Sequence, residues 1–251
     1  VGIGLSVREA PVLTNVVKEF GDIVKWLITK AIIPVLPYYI MTIFAEITFS
    51  GQVASVMVVF FKLIIILFIM HIVLLLLQYI FAGLISGKNP IKSLGTMLPA
   101  YATALGTQSS AATIPVNLEC AAKNGVSEDI RNFVVPLCAT IHLAGSMITI
   151  TSCSVAVLLM NGLPFSFTTI FGFIAMLGIA MVAAPGAPGG AIMSALPFLP
   201  MVGITSQVMQ QLMITLYLTQ DSFGTAANVS GDNAIAVFVD RLYSKKIKKS
   251  A

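Results

Sequence analysis

One stretch of the sequence restricts the fold more than any other. From Val53 to Leu84 the chain is almost entirely apolar and carries a single charge, at Lys62. As a helix this stretch would be about 48 Å long, more than the roughly 30 Å hydrocarbon core of a bilayer, so it would tilt or protrude. The whole chain has 57% apolar and 10% charged residues, against about 25% charged residues in soluble domains. The sequence therefore predicts an all-α integral membrane protein.

Positive charge is distributed unevenly among the connections. Basic residues precede the first predicted span, follow the second, flank a further turn and close the chain, at Lys18, Lys25, Lys30, Lys88, Lys92, Lys123, Arg131 and Lys245 onward. The connections at 50–53, 161–167 and 201–207 contain no Lys or Arg. By the positive-inside rule, the basic connections and the C-terminus are expected to be cytoplasmic, which predicts a multi-pass protein of the cell membrane. No basic face with interleaved aromatic residues forms, so nucleic acid is not an expected partner.

Two apolar stretches are interrupted at their centres. The first, at about 91–124, breaks at the small and polar tract 106–113, and both of its flanks carry basic residues. The second, at about 167–201, breaks at the Pro-Gly tract 184–190 and has uncharged flanks. A segment that enters the membrane, breaks and returns to the same side is a re-entrant hairpin. The sequence predicts two re-entrant hairpins that open from opposite sides.

A helix with a polar centre is predicted after each hairpin, over 127–160 and over 206–240, and the first is interrupted near 140–146. Ser127 is expected to cap the first of these helices with its hydroxyl. Inverted repeats with broken segments at matching positions indicate the binding site of a secondary transporter. The tips of the two hairpins, where each apolar stretch breaks, are expected to meet near the midplane of the membrane. The predicted organisation is an N-terminal segment with two transmembrane helices (1–90, spans Trp26 to Phe49 and Val53 to Leu84) and a transport core that ends in a basic tail (91–251).

The last predicted helix carries a polar stripe. At 100° per residue, Asp221, Thr225, Asn228 and Asp232 fall on one face of an otherwise apolar rod. An acid at the bilayer centre costs about 2.5 kcal/mol or more, so this face must lie against protein or a water-filled cavity. Two carboxylates with few basic partners require a cation, either a coupling ion or a substrate ammonium. A packing network that satisfies itself is the alternative interpretation.

Other reactive residue types lack the partners that catalysis needs. His142 and Ser146 are one helical turn apart, like a base and a nucleophile, but no G-x-S-x-G motif accompanies them. An enzyme is therefore not expected. His71 lies in the second span and is expected to be a packing residue. The cysteines have no metal-ligand spacing and are expected to be inert core residues, at Cys120, Cys138 and Cys153.

Four motifs, in this order, resemble the dicarboxylate/amino acid:cation symporter family, which has the glutamate-transporter fold. They are SSAATIP at 109–115, ATIHLAGS at 139–146, GAPGGAI at 186–192 and the polar helix from Asp221 to Asp232 with NVSGD at 228–232. The similarity covers roughly residues 25–240. It implies an elevator-type alternating-access mechanism and a homotrimer in the full-length protein. It also implies that the family's scaffold helices lie mostly upstream of Val1.

The resemblance also implies which residues bind the substrate and the coupling ion. Asp221 is expected to hold the α-amino group, while Asn228 and Ser110 are expected near the carboxylate. The full set of expected substrate contacts is Ser109, Ser110, Ser146, Ala187, Pro188, Gly189, Asp221, Gly224, Thr225 and Asn228. The expected ion site comprises Asp232, Asn228 and His142. The coupling ion is expected to be sodium, with a proton at His142 as the alternative, and no other cofactor is expected.

The chain departs from the family pattern at positions that determine the substrate. Members that carry acidic substrates have an arginine where this chain has Gly224, and Gln108 replaces another arginine at the first tip. Without a bidentate clamp, a second carboxylate would be buried unpaired. The family's serine/threonine branch also lacks that arginine. The pattern therefore predicts symport of a small neutral amino acid, with symport of a dicarboxylate or acidic amino acid, or an ion channel, as alternatives. His142 and Ala144 replace an Asn and an Asp, which predicts coupling to fewer sodium ions.

Overall fold

The computed structural model describes residues 10–27, 30–31, 33–49 and 53–250. Within these ranges the regular secondary structure is helical, and no strand occurs. The chain divides into two compact units, Val1–Val53 and Ala54–Ala251. The predicted all-α architecture is confirmed for the residues that the structure describes.

The first unit contains α1 (Pro11–Leu27) and α2 (Ile33–Phe49). The first span, predicted as one helix from Trp26 to Phe49, is therefore wrong in its boundaries, because Trp26 belongs to the end of α1. Pro34 lies in the first turn of α2. A proline has no N–H to continue a preceding helix but is tolerated in a first turn, which explains why a new helix begins here.

The second unit is built from ten helices and two short 3₁₀ segments. The helices are α3 (Val53–Ser86), α4 (Pro90–Gly95), α5 (Leu98–Thr107), α6 (Ser110–Lys123), α7 (Glu128–Ile141), α8 (Ala144–Met160), α9 (Phe167–Ala180), α10 (Gly190–Ala195), α11 (Gln207–Leu218) and α12 (Asp221–Ser250). The 3₁₀ segment Met181–Ala183 follows α9, and Leu196–Val202 follows α10. The second predicted span corresponds to α3.

Helix α3 is apolar on its outer surface, and its few buried polar groups lie on the side that faces the protein. Ile65 and Leu77 are 62% and 61% exposed, whereas His71 and Tyr79 are buried. A soluble protein rarely leaves so large an apolar surface uncovered. Two segments, Met57–Ser86 and Glu128–Met160, are long and apolar enough to cross a membrane. This distribution agrees with lipid as the solvent of the outer surface.

The interruptions predicted from the sequence are present. Helix α5 ends before Gln108 and Ser109, helix α7 ends before His142 and Leu143, and residues 184–189 separate the 3₁₀ segment after α9 from α10. We call α5 with α6 the first helix pair, and α9 with α10 and their 3₁₀ segments the second helix pair. Both pairs pack internally, α5 on α6 and α9 on the 3₁₀ segment Leu196–Val202.

The final helix differs from its prediction. In place of one helix over 206–240, the chain forms α11 and α12, which are separated at Thr219 and Gln220. The hydroxyl of Thr219 donates to the carbonyls of Thr215 and Leu216, and the Gln220 amide donates to Leu216. Side chains that occupy backbone carbonyls in this way compete with helix continuation. The break brings Asp221 to the first turn of a new helix, where an acid is favourable.

The start of α7 also differs from its prediction. Ser127 is the N-cap residue, but its hydroxyl makes no capping bond. Instead, the hydroxyl and the N–H of Ser127 both donate to a carboxylate oxygen of Asp240 on α12. On a neighbouring connection, Lys88 donates to the carbonyls of Asn124 and Gly125, and its partial burial lowers the pKa of its ammonium. These contacts connect the second half of α12 and the residues after α3 to the α6–α7 turn.

Helix α12 lies at the centre of the second unit. It contacts α5, α6, α7 and α8. It packs tightly against α8, where a Cβ atom added at Gly145 would lie 2.5 Å from the carbonyl oxygen of Gly224 and 2.9 Å from the Cβ of Ala227. A Cβ at Gly224 would in turn lie 3.1 Å from Thr149 Oγ1. Two glycines therefore allow the two backbones to meet, as small residues do between membrane helices.

Replacing Gly145 by alanine should separate α8 from α12. The added methyl group would meet backbone atoms that cannot rotate away, so we expect a loss of about 1–3 kcal/mol in the free energy of unfolding. Thermal unfolding of the purified protein in detergent measures this loss. Gly172→Ala on α9 is the control, since its Cβ would meet nothing within 4 Å. Equal melting temperatures for the two variants would contradict the close approach.

Candidate functional site

The tip of each helix pair is the segment where its helices are interrupted, residues 108–109 in the first pair and 184–189 in the second. The two tips contact each other. The hydroxyl of Ser109 donates to the carbonyl of Gly186 over 2.8 Å, and the N–H of Ala111 points to the same oxygen at 3.4 Å. Gln108 ends α5 in the left-handed conformation, with φ of 52°. A Cβ at Gly186 would lie 2.7 Å from the carbonyl oxygen of Ala139, so the second tip can sit here only with glycine at this position.

The carboxylate of Asp221 contacts the second tip. Its Oδ2 accepts from the N–H of Gly189 at 2.8 Å, and its Oδ1 accepts from the hydroxyl of Tyr217 at 2.7 Å and of Thr225 at 3.3 Å. Gly189 has φ of 72°, a conformation that glycine adopts without strain. Asp221 is 4% exposed. A buried acid is thus held by three donors from the second tip, α11 and α12.

A small cavity of about 10 Å³, room for about one water molecule, lies between the tips and α12. Five of the residues expected to bind substrate line it, namely Ser110, Ser146, Ala187, Asp221 and Thr225. The other lining residues are Gln108, Leu143, Pro185, Gly186, Ala191 and Tyr217. None of the lining residues is Lys or Arg. The cavity therefore offers one carboxylate, several hydroxyls and backbone groups to a bound molecule.

The other expected substrate contacts lie just outside the cavity lining. Ser109 bonds to the second tip and also caps α6 by accepting from Ala112 N–H. Pro188 and Gly189 belong to the second tip, and Gly189 reaches Asp221 through its N–H. Gly224 packs against α8. These residues shape the cavity through the backbone and through helix packing.

Asn228 holds the break between α7 and α8. Its Oδ1 accepts from the N–H of Gly145 at 2.7 Å, and its Nδ2 donates to the hydroxyl of Ser146 at 2.9 Å. The first N–H groups of a helix have no partner within the helix, so this amide satisfies a donor that the break releases. The same break is fixed from α3, where His71 Nε2 lies 3.1 Å from the carbonyl oxygen of Gly145.

Asp232 lies one helical turn after Asn228 on α12 and belongs to a second group of polar residues. It is completely buried, and its Oδ1 lies 2.9 Å from Nδ1 of His142. The Nε2 atom of His142 lies 3.2 Å from Nε2 of Gln78 on α3. The predicted stripe is therefore one face of α12 that serves two places: Asp221 and Thr225 at the cavity, and Asn228 and Asp232 at the helix break.

Some residues of the site could not be identified from the sequence. Tyr217 lies one turn before Asp221, a spacing that places the two side chains side by side, but an aromatic residue in an apolar helix is usually a packing residue. Gln78 is far from His142 in the sequence, and no local pattern connects them. The cysteines are buried, as expected, at Cys120, Cys138 and Cys153.

The fold and the site define a class of protein: helical membrane proteins in which interrupted helix pairs meet at buried carboxylates. The sequence profile of the sodium:dicarboxylate symporter family matches residues 1–242. The chain belongs to this family and is therefore a multi-pass membrane protein.

Named relatives support this assignment. The chain is 31% identical over 183 residues to the serine/threonine transporter SstT of Acinetobacter baylyi, covering 71% of this chain and 46% of that protein. It is 29% identical over 246 residues to SstT of Acinetobacter baumannii strain AYE, covering 96% and 61%. It is also 30% identical over 166 residues to excitatory amino acid transporter 1 of Homo sapiens, covering 66% and 30%. The chain thus spans less than two thirds of each relative. All three are named transporters, in agreement with a non-enzymatic protein.

Exchange of the Gly145 amide hydrogen should report the role of Asn228. In Asn228→Leu a side chain of similar size leaves the N–H of Gly145 and the hydroxyl of Ser146 unpaired, at a cost of about 1–3 kcal/mol. We expect faster hydrogen–deuterium exchange, measured by mass spectrometry, in peptides that cover 142–148. Asn161→Leu is the control, because the Asn161 amide bonds only to Val157 in its own helix. Unchanged exchange at 142–148 in Asn228→Leu would show that the amide does not stabilise the break.

Proposed function

We propose that the protein is a secondary active transporter that carries a small neutral amino acid across the cell membrane together with a cation. The observation that carries this proposal is Asp221. Its buried carboxylate faces a small cavity closed by the two tips, and no Lys or Arg lines that cavity. A buried carboxylate of this kind is stabilised by a cationic partner, which the ammonium group of an amino acid supplies.

The cavity has complementary groups for both ends of an amino acid. Asp221 would bind the α-amino group. Helix α6 begins at Ser110, and the partial positive charge of its N-terminus favours a carboxylate. The hydroxyls of Ser146 and Thr225 line the cavity and would contact a polar side chain. The cavity has room for about one water molecule, so the two tips would separate to admit a substrate. A small polar substrate such as serine or threonine would complement this set of groups.

Two positions argue against a substrate with a second carboxylate. Gly224 is in tight contact with α8 at Thr149 and Ser146, so this position supplies no charged group. Gln108, at the other position where the resemblance places an arginine, donates to the hydroxyl of Ser222 over 2.9 Å. A second carboxylate in the cavity would be desolvated without a cationic partner. Transport of a dicarboxylate or acidic amino acid remains the alternative, to be decided by measurement.

The proposed mechanism is of the elevator type, with the second tip as the gate. Both helix pairs would be re-entrant, opening from opposite sides, and the C-terminus would be cytoplasmic, as the distribution of Lys and Arg indicates. The Gly189 N–H that bonds to Asp221 supports a gating role, since a substrate ammonium would compete for the same carboxylate. The full-length protein would form a homotrimer.

Coupling to a cation is supported by the family name and by Asp232. Sodium is the proposed coupling ion, with Asp232, Asn228 and His142 at the ion site, and a proton is the alternative. An ion channel is the competing class of function. A channel would pass current without a bound amino acid, whereas a symporter exchanges labelled substrate across the membrane in counterflow.

Counterflow of labelled amino acids into proteoliposomes tests the substrate. We expect serine, threonine or another small neutral amino acid to exchange, and aspartate to exchange far more slowly. Asp221→Asn keeps the shape of the side chain and removes its charge. It should lower exchange roughly 10- to 100-fold, because hydrogen bonds to charged groups contribute about 1.5–3 kcal/mol. Aspartate exchange equal to that of serine would refute the neutral substrate.

Tyr217→Phe tests how Asp221 is held. The variant keeps the ring and removes the donor to Asp221, so the carboxylate loses one of its orienting bonds. We expect the KM for the substrate to rise roughly tenfold, with a smaller change in maximal rate. Tyr79→Phe is the matched control, since the Tyr79 hydroxyl is also buried but donates to the carbonyl of Ser230. A KM unchanged in Tyr217→Phe would contradict this role of the phenol.

A further inference from the structure

A second and larger cavity lies between α3 and α8, away from the tips. Its volume is about 490 Å³, and sites for small molecules in proteins have volumes of roughly 300–1,000 Å³. One wall is a single face of α3, formed by Val59, Lys62, Leu63 and Ile66. The other wall is a face of α8 within 151–160. No residue of this lining also lines the cavity at Asp221. We call this second cavity the α3–α8 cavity.

The α3–α8 cavity opens on the surface that faces lipid. Its walls belong to Met57–Ser86 and Glu128–Met160, the two segments that are long and apolar enough to cross a membrane. Ile66 and Leu159 both line it and are 51% and 63% exposed. Acyl chains are as apolar as a leucine side chain, so they are the solvent that such a surface meets. A molecule that enters this cavity from outside therefore comes from the bilayer.

The charge of this cavity comes from Lys62. In the part of the chain that the structure describes, the lining contains no other charged side chain. The ion pairs found among the described residues are Glu128 with Arg131 and Asp232 with His142, so none of them involves Lys62. A charged residue within a membrane-spanning segment is costly and is usually paired. The cavity is therefore complementary to an apolar molecule that carries a negative group.

The position of Lys62 along α3 corresponds to the level of lipid headgroups. At about 1.5 Å per residue, roughly 36 Å of helix lies between Lys62 and Ser86, where α3 ends. The hydrocarbon core of a bilayer is about 30 Å thick. With Ser86 at one membrane surface, the ammonium of Lys62 therefore reaches the headgroups at the other surface. Leu63 and Ile66 follow Lys62 towards the membrane centre, so the apolar part of the cavity lies at the depth of acyl chains.

We infer that the α3–α8 cavity binds one anionic phospholipid of the surrounding bilayer, with its phosphate at Lys62 and an acyl chain against Leu63, Ile66 and Val155. A headgroup with net negative charge neutralises the ammonium, and the acyl chain matches the apolar walls. The bound lipid would contact α3 and α8 together and would stabilise their packing. The inference requires a membrane protein and is independent of which amino acid or ion the protein carries.

Two measurements on the purified full-length protein test this inference. In the first, the protein is reconstituted with phosphatidylglycerol that carries a photoactivatable group in one acyl chain, and labelled peptides are identified by mass spectrometry. We expect the label in peptides that cover 57–70 and 150–160. In the second, native mass spectrometry compares the Kd of phosphatidylglycerol with that of phosphatidylcholine of the same chain length. The anionic lipid should bind more tightly.

Variants separate the headgroup contact from the acyl-chain contact. Lys62→Gln should raise the Kd of phosphatidylglycerol roughly fivefold, towards that of phosphatidylcholine, and Lys62→Arg should preserve it. Val155→Phe fills part of the apolar wall without changing charge, so it should weaken the binding of both lipids and lower the labelling. Lys92→Gln is the control, since Lys92 is exposed on α4 and does not line the cavity. Soluble glycerol phosphate, which has no acyl chain, should not compete.

Four results would overturn the inference. An unchanged Kd in Lys62→Gln, or an equal rise in Lys92→Gln, would show that Lys62 does not hold the headgroup. Competition by glycerol phosphate would show a site for a soluble anion. Absence of label from both segments would show that another helix of the full-length protein, or a second copy, covers the cavity. None of these results depends on transport, so the lipid site can fail while counterflow of a neutral amino acid persists.

Discussion

A carboxylate buried in a membrane protein is stable only where donors or cations surround it, and α12 carries two such groups. Asp221 is held by an N–H of the second tip and by two hydroxyls, and Asp232 by an imidazole from the break between α7 and α8. Gly189, Tyr217 and His142 come from places where a helix is interrupted or ends, and Thr225 comes from α12 itself. Because an uninterrupted helix satisfies its own backbone, only such interruptions can offer backbone donors to a buried group. The breaks in the helices and the acids of α12 therefore stabilise each other.

Close packing of glycines makes this arrangement possible. Gly145 and Gly224 bring α8 against α12, Gly186 brings the second tip against α7, and Gly231 lets Gln78 and His142 reach the helix surface. At each of these positions a Cβ atom would meet a neighbouring atom at 3.1 Å or less. The same glycine at 224 supplies no charged side chain near the cavity. Packing and the proposed preference for a neutral substrate are thus linked at one position.

Much of this architecture could be predicted from the sequence because it depends on long patterns. The apolar stretches, the tracts that interrupt them and the stripe from Asp221 to Asp232 are repeated signals, and the structure has the interruptions where they were expected. The predictions that failed concern single hydrogen bonds: Ser127 donates to Asp240 on another helix, and side-chain bonds at Thr219 and Gln220 divide the final helix. The contacts of Tyr217 and Gln78 also depend on how helices pack, which no local pattern encodes.

The convergence of the two tips over α12 is the central claim, and a cross-link between them tests it most directly. Cysteines would replace Ala111 and Ala187 in a protein without Cys120, Cys138 and Cys153, and a short thiol cross-linker would be added. Since the N–H of Ala111 points to the carbonyl of Gly186, this pair should cross-link rapidly and arrest substrate exchange. A pair at Ala111 and Phe167, at the far end of α9, should not. Equal cross-linking of the two pairs would show that the tips do not meet.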